Sequence, residues 1–164
     1  MTEPRVTEPG AAASSDVPMA RLLAMAYRLL VDGLHERLAR RGWDGVRPAF
    51  GFVLLALAGG PATVKDLTAA LGTSKQAVSQ LVDDMVGSGY ATRAVHPEDA
   101  RARNVALTDQ GHRLLGAVEE VYRELEDEWA QLIGAGRLDQ VRADLQAVLR
   151  AAYGGELPSV RPVG

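Results

Sequence analysis

The stretch TVKDLTAALGTSKQ, residues 63–76, leaves the backbone few choices. Thr63 stands before a run of helix formers with an acid, Asp66, three positions on. The hydroxyl and the carboxylate can then each satisfy a free backbone N–H, an acidic variant of the capping box. Gly72 sits where a left-handed residue ends such a helix. A second box follows at once, with Thr73 as the expected cap and Gln76 reaching back. Val78, Leu81, Val82 and Met85 then recur at i, i+3, i+4 and i+7, one buried face of a second helix. Two short helices joined by a tight glycine turn make a helix-turn-helix.

The flanks extend this unit on both sides. From about Val17 to Arg40, Met19, Leu22, Leu23, Ala26, Leu29, Leu30, Leu34 and Leu38 recur at helical spacing, so one long helix is expected. Gly42 and WDGVRP break it. A second helix is expected around Pro48 to Leu57, ended by Gly59, Gly60 and Pro61. After the helix-turn-helix, GYATRAV and RNVALT read as two short strands flanking HPEDARA. Thr108 is placed to cap a long helix carrying Leu114, Leu115, Val118, Val121, Tyr122, Leu125, Trp129 and Leu132. After GAG a last helix shows Leu138, Val141, Leu145, Val148 and Leu149. The expected fold is mainly α with a small β-hairpin wing: a winged helix-turn-helix over 47–108, with added helices over 17–46 and 109–153. The Pro-, Gly- and small-residue-rich ends, 1–16 and 154–164, read as disordered tails.

Composition narrows what such a chain does. It has 164 residues, enough for one domain with helical extensions, and its 47% hydrophobic content supplies a sizeable core. Aromatics are only 5%, so aliphatic side chains and alanine must fill that core. There are no cysteines, which removes disulfides, thiolate nucleophiles and thiol redox sensing. The longest apolar run, FGFVLLALAGG, is too short to span a bilayer. The first residues lack both the basic start and the apolar stretch of a secretory signal, so a cytoplasmic location is expected. Net charge is −3, yet it is unevenly spread: +3 over 17–60, 0 over 61–113 and −4 over 114–153. Acid concentrates in the C-terminal helices, which leaves room for a positive face elsewhere.

The outer face of the second helix of the unit carries Ser74, Lys75, Gln76, Ser79 and Gln80. Short hydroxyls, amides and a cation can donate and accept at base edges while the lysine meets phosphate. Asp83 and Asp84, further along, must lie away from a phosphate backbone. A hairpin directly after such a helix extends as a wing beside the duplex. Its tip can place Arg101 in the narrow, electronegative minor groove, with Asp99 two positions earlier pairing with the arginine to keep it extended. Catalysis finds no support. His35, His96 and His112 lie in no metal-ligand spacing, and no glycine loop has a phosphate-binding pattern. His96, Glu98 and Asp99 stand on a hairpin tip, which offers no preorganised metal site. Neither a metal nor a cofactor is therefore expected. The rival reading is a winged domain used as a protein–protein adaptor. An adaptor surface would show an aromatic or aliphatic anchor among residues 74–80, and the outer face has none.

Residues 63–111 resemble the MarR family (multiple antibiotic resistance regulators). That family pairs a helix-turn-helix with a wing reading roughly D-P-x-D-x-R, then L-T-x-x-G. Here HPEDAR precedes LTDQG, with Pro97, Asp99, Arg101, Leu107, Thr108 and Gly111 in register. Two positions depart: His96 stands where the family usually has Asp, and Ala100 where another arginine is common. The tip is thereby less basic, and Arg103 is expected to share phosphate contacts. The resemblance implies a homodimeric, ligand-responsive regulator, a repressor, with 17–46 and 109–153 as its dimerisation helices. Its partner would be double-stranded DNA carrying a palindromic operator, read by recognition helices roughly 34–36 Å apart. Ser74, Lys75, Gln76, Ser79 and Gln80 would serve the major groove, Arg101 with Asp99 the minor groove, and Lys65 and Arg103 phosphates, with Thr73 also among the DNA-binding residues. A small aromatic or anionic effector would sit between the dimer helices and the winged domain, where Tyr27, His35, Trp43, Arg47 and Phe50 are candidate lining residues.

Overall fold

The computed structural model describes residues 17–95 and 103–157. Helix α1 runs over Met19–Arg40 and α2 over Pro48–Leu57, the latter opened by a proline at its first position, where the missing N–H is no loss. The two-residue strand β1, Ala62–Thr63, leads into α3, Val64–Leu71, and α4, Lys75–Gly87. Strands β2, Ala91–Val95, and β3, Arg103–Leu107, come next, then α5, Asp109–Ile133, and α6, Ala135–Ala152. None of the described helices is long and apolar enough to cross a membrane.

The sheet is antiparallel in the order β1-β3-β2, with Val105 facing Ala62 on one side and Arg93 on the other. Strand β1 has no counterpart in the sequence reading, because two residues carry no alternation to detect. Its position matters nonetheless. Thr63 belongs to β1 and also caps α3, so the start of the helix-turn-helix is tied to the base of the hairpin.

The core forms where these elements converge. Phe50, Val53, Leu54 and Leu57 of α2 meet Leu67 and Leu71 of α3, and Val78, Val82 and Met85 of α4. Val105, Leu107, Leu114, Val118 and Val121 close it from the sheet and α5. Burying one such side chain contributes about 1.5–3 kcal/mol, so the winged unit is held chiefly by aliphatic burial. Among the described residues no polar or charged side chain is buried. Tyr90 binds the α1–α2 link to this core, packing edge-on against Phe50 at 6.0 Å and tilted against Trp43 at 6.2 Å.

The outer helices depart from the expected pattern. Of the apolar stripe on α1 only Leu34 and Leu38 are buried, while Met19 stays 68% and Leu29 66% exposed. No residue of α6 is buried, and Leu132 near the end of α5 is 82% exposed. The periodicity is real, but the single chain offers nothing to cover it. Lower down, α1 is lashed to α5: Arg37 pairs with Glu128 at 2.6 Å and Arg41 with Glu124 at 2.5 Å. Two boundaries also differ. Helix α1 begins at Met19 rather than Val17. Helix α6 begins at Ala135, inside the GAG read as a turn, because Gly134 alone at φ 91° makes the break.

Candidate nucleic-acid interface

The helix-turn-helix is set by local hydrogen bonds. Thr63 Oγ1 accepts from the Asp66 N–H at 3.1 Å, and the Thr63 N–H donates to Asp66 Oδ2 at 3.0 Å, completing the acidic capping box. Gly72 ends α3 in the left-handed conformation, φ 63°. The next cap is Ser74, not Thr73: Ser74 Oγ accepts from the Ala77 N–H at 3.2 Å and α4 starts at Lys75. The reason is geometric. After a left-handed Gly72 the chain needs two more non-helical residues to turn, so the capping role passes one position along. Thr73 is left exposed in the turn, and with Ser74 as cap the box partner position falls on Ala77, so Gln76 has no capping role.

Helix α4 presents what the apolar stripe predicts. Val78, Val82 and Met85 are fully buried, and Leu81 is half-buried. Ser74, Lys75, Gln76 and Gln80 are exposed, and Ser79 is half-buried. Lys75, and Lys65 on α3, are exposed and form no ion pair among the described residues, so both cations are free for an anionic partner. The N-terminal end of α4, where Lys75 stands, adds its partial positive charge.

The two acids of α4 are each covered by an arginine from a neighbouring element. Asp83 pairs with Arg93 of β2 at 2.9 Å, and Arg93 also reaches the Ser79 carbonyl at 3.4 Å. Asp84 takes a hydrogen bond and ion pair from Arg47, at the start of α2, and a hydrogen bond from Gln80 Nε2 at 3.0 Å. The Arg47 guanidinium, then the Gln80 amide, holds the Asp84 carboxyl below the usual carboxylate range. Asp84 is therefore ionised and only accepts hydrogen bonds. Charges that would repel phosphate are thus neutralised internally. Sequence alone placed these acids away from DNA without finding their partners.

The wing base is equally specific. Thr108 Oγ1 donates to the Gly89 carbonyl at 2.6 Å and accepts from the Gly111 N–H at 3.0 Å. The Thr108 N–H donates to the Tyr90 carbonyl at 3.1 Å. One threonine thus caps α5 and pins its start to the turn after α4. Arg103 opens β3, its backbone facing Val95. His96, Asp99, Ala100 and Arg101 lie outside the described residues.

A cavity of about 150 Å³ lies between α1, α2 and α5. Tyr27, His35 and Arg47 line it, as the sequence suggested, together with Phe52 and Tyr122. Phe50 and Trp43 do not: Phe50 is core and Trp43 packs on Tyr90. Phe52 follows Phe50 by two residues, roughly 200° around a helix, so when one faces the core the other faces out. Alpha-helical phase could have found it. Tyr122 was seen only as part of the α5 stripe. Its burial, then the nearby Tyr27, raises its hydroxyl pKa, so it stays a neutral donor. Among the described residues no group of His, Asp or Glu could hold a metal ion.

A helix-turn-helix, a three-stranded sheet with its hairpin and a capped α5 together define a winged helix-turn-helix domain. Residues 46–102 match the MarR family. Three solved structures similar to the chain illustrate the fold. The reduced form of MarR from E. coli superposes with a TM-score of 0.71 at 22% identity, over 83% of this chain and 99% of its own. The transcriptional regulator Tm0710 from Thermotoga maritima gives 0.62 at 22% identity, over 85% and 99%. A mutant of E. coli MarR complexed with operator DNA gives 0.67 at 23% identity, over 81% and 94%. No curated protein sequence matches the chain. The chain thus has the winged helix-turn-helix fold, and over residues 46–102 it is similar to the MarR family.

Proposed function

We propose that this chain is a transcriptional repressor that binds a palindromic operator as a homodimer and releases it when a small effector binds. The observation that carries this reading is the outer face of α4: exposed serine, lysine and glutamine side chains, its Lys75 in no ion pair among the described residues, and both acids covered by arginines. Ser74, Lys75, Gln76, Ser79 and Gln80 are assigned to the major groove, with Thr73 also against the DNA, Lys65 and Arg103 to phosphates, and Arg101, positioned by Asp99, to the minor groove. The similar E. coli MarR mutant in complex with operator DNA supports the DNA-binding reading.

The uncovered stripes of α1 and α6 support a dimer, since burying them requires a second copy. Residues 17–46 and 109–153 are then the dimerisation helices and 47–108 the DNA-binding domain, working in the cytoplasm. The cavity beside α1, α2 and α5 would take a small aromatic or anionic effector against its tyrosines and Arg47. Such an effector acts only if it binds the DNA-competent and released dimers with different affinity.

The test is fluorescence-anisotropy binding to the intergenic DNA beside its own gene and to DNA selected from a random pool. Titration in salt compares wild type with Arg101→Ala. Specific binding whose log–log salt slope falls by about one unit in the variant establishes the wing contact. Binding no tighter to selected DNA than to random duplex would refute operator recognition and favour a protein–protein adaptor.

A further inference from the structure

We infer that Arg47 is a positioning residue for base reading: through Asp84 it fixes the Gln80 amide so that Gln80 presents the complement of adenine. This rests on the DNA-binding reading above and adds to it a residue outside the helix-turn-helix and a base preference.

The chain of contacts starts from a rigid base. Arg47 is the last extended residue before α2, φ −86° and ψ 148°, and Pro48 follows it, so its backbone has little freedom. Its guanidinium lies over the ring of Phe50, 5.0 Å from the centroid, and Phe50 is itself core. From there it pairs with Asp84 Oδ2, across 37 positions of sequence. Asp84 gives its other oxygen, Oδ1, to Gln80 Nε2 at 3.0 Å, one helical turn back along α4.

Protonation then decides the orientation of the amide. An ionised carboxylate cannot donate, so Gln80 must turn an N–H toward Asp84. One Nε2 hydrogen is used. The second N–H and the carbonyl Oε1 remain, an adjacent donor and acceptor. Adenine offers the matching acceptor N7 and donor N6–H in the major groove. A glutamine free to flip would present either edge and would pay rotamer entropy on binding. With Arg47 gone, Asp84 would also stand uncompensated on a face meant for phosphate.

Those two consequences separate by experiment. An operator selected from a random pool is bound by wild type, Gln80→Ala, the double variant Arg47→Ala/Asp84→Ala, and the triple variant adding Gln80→Ala. The double variant removes both charges together, so it leaves no bare carboxylate. Each protein is titrated with the operator, with operators changed at each A·T pair, and with random duplex. Expected is an A·T pair in each half-site at which Gln80→Ala loses roughly tenfold discrimination. The double variant loses the same discrimination at the same pair, with random-duplex affinity within about twofold of wild type. Adding Gln80→Ala to it changes nothing further. Arg47 is 53% and Asp84 32% exposed, so the fold should persist, and a cooperative melt checks it. Should the double variant not fold, Asp84→Ala alone carries the same comparison at the Gln80 pair.

Full discrimination in the double variant would overturn the inference while leaving operator binding intact. So would a Gln80→Ala effect at a G·C pair. Absence of specific binding by wild type itself would overturn both this inference and the reading beneath it, and is recognised because no variant need be consulted.

Discussion

Gly111 packs so closely beneath Tyr90 that a methyl group on it would lie 2.0 Å from the Tyr90 carbonyl oxygen. The obstacle is backbone, and that backbone also receives the Thr108 N–H, so it cannot move aside without breaking the start of α5. Gly111→Ala is expected to cost about 1–3 kcal/mol or more, by overpacking. Thr108→Ala, which removes the cap and the tie to Gly89, should cost about 1 kcal/mol. Thermal or urea melts measure both, and Gly111→Ala melting like wild type would contradict the close packing.

The capping assignment in the turn makes a paired prediction. Ser74→Ala removes the hydroxyl that accepts from Ala77 and should destabilise by about 1 kcal/mol. Thr73→Ala, exposed and without a capping bond, should stay within about 0.5 kcal/mol of wild type. Equal losses in the two variants would return the cap to Thr73.

Arg93 joins the wing strand to α4 through Asp83 and the Ser79 carbonyl. The pair is partly exposed, so Arg93→Ala should lower stability by no more than about 1 kcal/mol. It should weaken specific DNA binding more than stability suggests, because Asp83 is then uncovered and the wing loses its tie to the recognition helix. Anisotropy and a melt on the same sample read the two effects separately.

Acid should loosen the α1–α5 contact. The Arg41 side chain, and then Arg37, holds the Glu124 carboxyl below its usual range. A carboxylate whose folded pKa is depressed stabilises the fold above its unfolded pKa, about 4.3, and loses that stabilisation as pH falls through the folded value. Denaturation midpoints should therefore drop below about pH 4.3, and Glu124→Gln should flatten that part of the profile. An unchanged slope in Glu124→Gln would place the acid sensitivity elsewhere.

If α1 and α6 close a dimer, a charge in either stripe should open it. Leu29→Glu or Val148→Glu, both on faces exposed in the single chain, is expected to give a folded monomer by light scattering where wild type gives a dimer. A wild-type monomer at micromolar concentration would leave the stripes without their proposed cover.

Much of the architecture was readable because its determinants are local. Residues within four positions of one another decide a cap, a left-handed glycine or an apolar stripe. Thr63 with Asp66, Gly72, Pro48 at the start of α2 and Thr108 at the start of α5 needed nothing distant. The polar outer face of α4 followed from the same periodicity. The errors were local too, where two candidates stood side by side. Thr73 and Ser74 are both competent caps, and only the path out of Gly72 selects Ser74. Phe50 and Phe52 are both aromatic, and only the rotation of α2 against α3 and α4 sends Phe50 inward.

What sequence by itself determined was therefore the set of elements, their order and which face of each is apolar, because backbone hydrogen bonding and side-chain periodicity act over one or two turns. Tertiary structure alone decided which charges distant in sequence meet. Arg47 finds Asp84, and Arg93 finds Asp83, only because packing the core brings both α2 and β2 against α4. Pairing depends on where two side chains end in space, not on how far apart they stand in the chain, and aliphatic burial sets that position.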